Sequence, residues 1–219
     1  MGGAPHGTLV TAEEQSAGRG RQGRAWSAPA GSSLLMSLLL RPPPSLLPLI
    51  AAVATCDALA AHLGDSEQPL IKWPNDIVIK GSTELAKLAG ILVEGRPQEG
   101  WAVLGMGINV AVEVDQLPED VRGRAATLGG SPGDVERVLE KLLEALEQRL
   151  CEPTDATLRA WSERDVLRGR EIEWGAQGHA SPSSKGTAQG VDGAGRLVVA
   201  LSEGGQTTLE AGEVHLASG

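Results

Sequence analysis

The spacing of apolar positions changes along the chain. Residues 8–12 (TLVTA) predict a short strand ahead of the polar run Glu13-Glu14-Gln15. Ser33–Leu40 (SLLMSLLL) is a short apolar run bounded by Gly31 and Pro42, the pattern of a buried strand. Pro42-Pro43-Pro44 then breaks the chain. From about residue 46 to 63 the alanine-leucine pattern predicts a buried helix, stopped by Gly64 at its C′ position. Residues 70–73 predict a strand that runs into Pro74-Asn75-Asp76, and residues 77–80 continue extended. Residues 81–84 read as a turn. Residues 88–94 and 101–110 form an expected hairpin across 95–100. Over residues 132–150, Val135, Val138, Leu139, Leu142, Leu146 and Leu150 recur at helical spacing, a core-facing stripe. A second helix is expected over about residues 154–167.

The pattern shifts after Gly169. Short Val/Ile/Leu runs alternate with Gly, Ser and Asp, and residues 170–174, 187–191, 196–201 and 207–210 predict the strands of a small β-barrel. The domain boundary falls near residues 167–169, giving a larger unit over 1–168 and a smaller one over 169–219. The length of 219 residues suits one full domain and a small one. With five Trp and no Tyr or Phe, the core must be aliphatic and each indole stands out as an anchor or binding surface. Cys56 lies in the apolar helical run and reads as a core residue. Neither Cys56 nor Cys151 belongs to a metal-ligand spacing. No apolar stretch has the length of a membrane span and no signal peptide is evident, so a cytoplasmic setting is expected.

The formal net charge is −9, which argues against non-specific nucleic-acid binding. Positive charge is instead concentrated in Gly18-Arg19-Gly20-Arg21-Gln22-Gly23-Arg24-Ala25-Trp26. Glycines let backbone N–H groups approach a ligand, and arginines add a planar fork of donors for carboxylate or phosphate. A local cationic loop on an acidic protein suits a small anion. The stretch also satisfies the dinucleotide fingerprint by letter. However, Pro29 and Gly31 argue against the helix that fingerprint needs, and no acid follows at the required distance. A solvated surface loop is the plain alternative.

Further pieces carry chemistry. Gln15 offers an amide. Lys72-Trp73-Pro74-Asn75-Asp76 places a cation, an indole, an amide and a carboxylate within five positions. Lys87-Leu88-Ala89-Gly90-Ile91-Leu92-Val93-Glu94 sets a lysine beside a closely packed strand, and Gly105-Met106-Gly107-Ile108-Asn109-Val110 is a strand on which a flat ligand can lie. Singly, each reads equally well as surface charge, turn former or bulge.

Taken in order, GRGRQGRAW, KWPNDI, KLAGILVE and GMGINV resemble the biotin protein ligases. The resemblance implies an α+β fold: a mixed sheet with helices packed behind it, as in class II synthetases, followed by an SH3-like barrel. It implies a monofunctional ligase without a DNA-binding domain, which makes biotinyl-5′-AMP from biotin and ATP with Mg²⁺. Biotin then passes to a lysine of a carboxylase carrier domain, typically in acetyl-CoA carboxylase. Carried over by position, Gln15, Arg19, Gly20, Arg21, Lys87 and Gly90 are the expected biotin contacts. Trp26, Lys72, Asn75 and Asn109 are expected on the nucleotide side. Arg21, Lys87 and Asp76 are the expected catalytic groups, with Asp76 orienting the acceptor amine. Mg²⁺ is expected to arrive on the ATP phosphates. The resemblance implies no DNA or membrane partner and leaves room for a homodimer.

Two departures stand out. The family's Ser/Thr-Asn element ahead of the strand at Thr8, which contacts the biotin ring, has no counterpart in residues 1–7, so the resemblance does not carry over the family's biotin affinity or that sheet edge. The absence of Tyr and Phe is unusual for the family. A non-catalytic biotin or nucleotide binder, and a related lipoate or octanoyl transferase, are the alternatives.

Overall fold

The computed structural model describes residues 3–64, 67–81, 85–175, 184–212 and 214–217. Six strands form the first sheet: β1 (Leu9–Ala12), β2 (Ser33–Leu40), β3 (Leu70–Lys72), β4 (Asp76–Lys80), β5 (Leu85–Arg96) and β6 (Trp101–Asn109). Their order is β1-β2-β6-β5-β4-β3, and every neighbouring pair is antiparallel. Among the described residues, the parallel component of the expected mixed sheet is limited to isolated bridges at Ile71–Asp165 and Lys87–Ala125. The hairpin expected between β5 and β6 is present, with β5 longer at both ends than its sequence signature suggested and β6 one residue shorter.

Alternation decides which face is covered. Leu34, Met36, Leu38 and Leu40 on β2, and Leu104, Met106 and Ile108 on β6, are buried at every second position. Against the sheet lie α1 (Leu47–Ala60) and α3 (Val135–Leu150), with α4 (Thr154–Ser162) against α1; the short α2 (Glu119–Arg122) lies in the segment after β6. Helix α1 is buried almost all round, and Ala51, Ala52, Ala54 and Ala58 keep it thin enough to fit between sheet and outer helix. Helix α3 is one-sided, with Val138, Leu142 and Leu146 buried on the stripe read from the sequence. Asp57 on α1 accepts Arg149 Nε at 2.7 Å and Arg164 Nη2 at 2.8 Å, tying α1 to the end of α3 and to the chain after α4. No helix among the described residues is long and apolar enough to cross a membrane.

Two helix ends differ from expectation. Helix α1 stops at Ala60, and the N–H groups of His62 and Leu63 take the Leu59 carbonyl at 3.0 and 3.2 Å. The last turn closes on near neighbours, so Gly64 is not needed as a left-handed stop. The expected helix over 154–167 ends at Ser162, because the following segment leaves to cover the open edge of β3. Ile71 N–H donates to the Arg164 carbonyl at 2.8 Å, and Val166 N–H donates to the Ile71 carbonyl at 3.1 Å. An unpaired strand edge would otherwise leave those groups unsatisfied. Of the turn expected over 81–84, residues 82–84 lie outside the described residues.

The second sheet has five strands: β7 (Glu171–Trp174), β8 (Ser184–Val191), β9 (Leu197–Leu201), β10 (Gln206–Leu209) and β11 (Val214–Leu216). Their order is β10-β9-β8-β7-β11, all antiparallel. Four were legible in the sequence; β11 has three residues, too few for an alternation to show. Ile172, Ala188, Leu197, Val199 and Val214 belong to the same apolar cluster as Leu167 and the main sheet, so the core runs across the boundary.

Cys56 is fully buried on α1, whereas Cys151 is exposed. Burial pushes the Cys56 thiol up from 9.0 to about 12. A thiol reagent at mildly alkaline pH should label Cys151 in the native protein and reach Cys56 only after denaturation. Because the folded state keeps this proton while the unfolded chain loses it, Cys56 supports the fold fully below pH 9.0, and that support declines between 9.0 and about 12. Replacing Cys56 with alanine should flatten that part of the stability–pH curve, as read by denaturant titration.

Candidate active site

The Gly/Arg stretch folds as nested closures over the uncovered face of the first sheet. Gly31 N–H donates to the Glu13 carbonyl at 2.8 Å, which pins the base. Further in, Trp26 N–H donates to the Gly18 carbonyl at 2.9 Å and Gly20 N–H donates to the Arg24 carbonyl at 2.7 Å. The tip is a single 3₁₀ turn at Arg21–Gly23, with Gln22 at φ 60° and Gly23 at φ 74°. Gly18 has to be glycine, since a Cβ there would stand 2.4 Å from the Trp26 carbonyl oxygen. The strand pairing that makes this lid is therefore local, and it leaves the arginine side chains for other work.

The sheet face beneath is bare for a reason readable in the register. Gly90 on β5 pairs with Gly107 on β6, and Leu92 pairs with Gly105. These positions alternate with Ile91, Met106 and Ile108, which face the helices. The Trp26 indole fills the space. A Cβ at Gly107 would meet its ring at 2.5 Å, and one at Gly90 would meet it at 2.9 Å. Only two facing glycines let an indole lie directly on the strands. The indole Nε1 is buried there with no hydrogen-bond partner, and an orphaned donor of this kind costs about 1–3 kcal/mol.

The cations converge on one tight turn. Lys72 and Asp76 are register partners across β3 and β4, so Trp73-Pro74-Asn75 forms a three-residue connection. Asn75 Oδ1 accepts Arg21 Nη1 at 3.2 Å, and Asp76 Oδ1 accepts Lys87 Nζ at 2.6 Å. Consecutive residues thus hold a lid guanidinium and a sheet ammonium. Asn75 is itself clamped: its Nδ2 donates to the Ile91 carbonyl at 2.8 Å, and its carbonyl accepts Ile91 N–H at 3.0 Å. Lys87 is braced through its backbone by residues 124–126, with Lys87 N–H to the Arg124 carbonyl at 2.6 Å and Ala126 N–H to the Lys87 carbonyl at 2.8 Å. The Lys87 ammonium also stands 5.5 Å from the Trp26 ring centroid, within cation–π range. Arg19 Nη2 donates to Glu94 Oε2 at 3.1 Å, with both side chains well exposed at 73% and 48%. A pair this open contributes little, at most about 1 kcal/mol, and yields readily to a better anion.

A cavity of about 350 Å³ opens between the lid and β5, walled by residues 19–23, Leu92 and Glu94. Arg19, Gly20 and Arg21, three expected biotin contacts, line it. Gly90, expected against biotin, lies against the indole, and Trp26 covers both glycines of that face. Gln15 sits at the lid base, its Oε1 at 2.7 Å from where a Gly18 Cβ would be. Asn109 shares the face of Gly107 but is buried, and its Nδ2 donates to the Ala126 carbonyl at 2.9 Å. The sequence reading gave no role to Glu94, Leu92 or Gln22. Glu94 and Leu92 follow Gly90 at every second position, which is the signal that places them on the site face.

The chain matches the Biotin/lipoate A/B protein ligase family over residues 2–110. It is 33% identical to the biotin--[acetyl-CoA-carboxylase] ligase of Mycobacterium tuberculosis, covering 96% of this chain and 79% of that protein. It is 32% identical to the corresponding ligase of Paracoccus denitrificans, covering 94% and 88%. Against the bifunctional ligase/repressor of Bacillus subtilis the identity is 38%, and the chain spans 46% of that relative's length. The fold superposes on a biotin protein ligase of Aquifex aeolicus in complex with biotin and ATP, with a TM-score of 0.81 at 25% identity over 98% of this chain and 91% of that one. With these likenesses and the ordered motifs in one site, the chain belongs to the biotin protein ligase family.

Proposed function

We propose that the protein activates biotin with ATP and transfers it to a lysine of a carboxylase carrier domain. The observation that carries this reading is the pair Asn75-Asp76, whose adjacent side chains hold Arg21 and Lys87 at one place. Biotin carboxylate and ATP are both anions, and attack on the α-phosphorus has to bring them together. Arg21 and Lys87 screen that repulsion and stabilise charge growing on the phosphoryl oxygens as pyrophosphate leaves. Arg19 exchanges Glu94 for a substrate oxygen. Mg²⁺ would come with ATP, bound largely through its phosphate oxygens, and would offset part of the phosphate charge.

In the second step the carrier amine attacks the carbonyl of the mixed anhydride. An amide bond forms, the acyl–phosphate C–O bond breaks, AMP leaves with the electron pair, and the amine loses a proton. In this reading Asp76 orients that amine. In this reading residues 1–168 form the catalytic unit, and the five C-terminal strands correspond to an SH3-like barrel. The lid closes over bound biotin and shields the water-sensitive adenylate.

The deciding experiment is incubation with biotin, MgATP and a carrier domain, followed by mass measurement of the carrier and detection of biotinyl-AMP. Binding of biotin without adenylate would favour a non-catalytic binder, and preference for lipoate in competition would favour an acyl transferase. Arg21→Ala should slow single-turnover adenylate formation by about 10²–10³, equivalent to about 2.7–4 kcal/mol. Near-normal adenylation in that variant would remove the assigned role. Gly107→Ala should expel the Trp26 ring from the strands. Trypsin should then cut at Arg19, Arg21 and Arg24 several-fold faster than in the parent protein, read by timed proteolysis and mass spectrometry.

A further inference from the structure

One turn of the C-terminal sheet reaches the connection that leads to Asn75 and Asp76. Between β8 and β9 the chain turns at Asp192-Gly193-Ala194-Gly195. Asp192 builds the turn: its Oδ1 accepts the N–H groups of Ala194 and Arg196, both at 3.0 Å, and its carbonyl accepts Gly195 N–H at 2.9 Å. Gly195 has φ +80°, and a Cβ there would stand 3.2 Å from Leu49 Cδ1 and 3.4 Å from Leu46 Cδ2. The turn is therefore seated against the start of α1. Its Gly195 carbonyl accepts the indole Nε1–H of Trp73 at 3.1 Å.

Trp73 is 2% exposed and is the first residue of the connection that carries Asn75 and Asp76. The connection is held from its far side by the Asn75–Ile91 bonds. Its near side is β3, which pairs with β4 and has two further supports outside that hairpin, both leading toward the C-terminal sheet. One is the pairing of Ile71 with residues 164–166, which continue into Leu167 and β7. The other is the Trp73–Gly195 bond. A turn keeps its shape only when both limbs are fixed, and here the second limb, besides its ladder to β4, is fixed by a part of the chain that contributes no side chain to the site described above.

We propose that Trp73 is a positioning residue, and that the 192–195 turn, acting through it, sets the placement of Asn75 and Asp76 and hence of Arg21 and Lys87. This rests on the ligase reading for its consequence in catalysis, but not for the contact itself. The plain alternative is that Trp73 only fills the space between the two sheets.

The test uses the full chain with three variants. Trp73→Phe keeps a ring and removes the donor. Gly195→Ala presses the turn off Leu49. Asp192→Ala loosens the turn from a surface position and spares the core. Hydrogen exchange measured by peptide mass spectrometry reads the turn directly, without reference to activity. In each variant, peptides covering 73–79 and the Ile91 amide should exchange faster, while peptides of α3 stay at the parent rate. In adenylate assays kcat should fall about 10- to 100-fold, with the KM for biotin changed much less. The Trp73→Phe/Gly195→Ala double variant should fall no further than the worse single one. Unchanged exchange at 73–79 in a folded Asp192→Ala protein would overturn the proposal. So would loss of kcat that merely follows the folded fraction in thermal unfolding. If the parent protein makes no biotinyl-AMP, the ligase reading fails, and the exchange data alone decide the positioning role.

Discussion

Like charges do not gather unless something holds them, and in this protein the holding is done by one short turn. Arg21 arrives from the lid and Lys87 from near the start of a long strand, and they are brought close because their partners Asn75 and Asp76 are neighbours in the chain. The two partners differ. Asp76 pairs charge with charge, whereas Asn75 orients a guanidinium without adding a countercharge. An aspartate at both places would cancel more of the field that an anionic substrate needs.

Everything around the turn serves to keep it in place or to give it room. Aliphatic residues on alternate positions of β2 and β6 bury one face against α1 and α3. The opposite face is free of side chains at Gly90 and Gly107, so a planar group can reach the backbone there. In this structure the planar group is the protein's own Trp26. Its Nε1 is buried and unpartnered, and the ring stands within cation–π range of Lys87. The Arg19–Glu94 pair at the cavity wall has the same character, being exposed, weak and exchangeable.

The glycines of the lid and the strands do different jobs. Gly18 permits close approach of two backbone segments, and Gly23 supplies a left-handed turn beside Gln22. Gly107 and Gly90 supply nothing but absence of a side chain. In a sequence they look alike. Their separate roles follow from pairing partners that lie far away along the chain.

The sequence by itself determined a great deal. The period of apolar positions located β2 to the residue, and the β5–β6 hairpin and α3 to within about three residues, because burial on one face leaves an alternating or helical trace. The order of the motifs was enough to establish the family resemblance and a set of candidate residues. Tertiary structure decided what local pattern does not encode. Helix α4 ends early because a distant strand edge needs hydrogen bonds, and α1 closes without Gly64 because near carbonyls are available. Which cation meets which partner, and that Trp26 covers Gly90, depend on strand register, which is set by side chains tens of residues apart. The hydrogen bond from Trp73 to Gly195, across 122 residues of chain, is of the same kind. Local composition names the groups, and only packing assigns their neighbours.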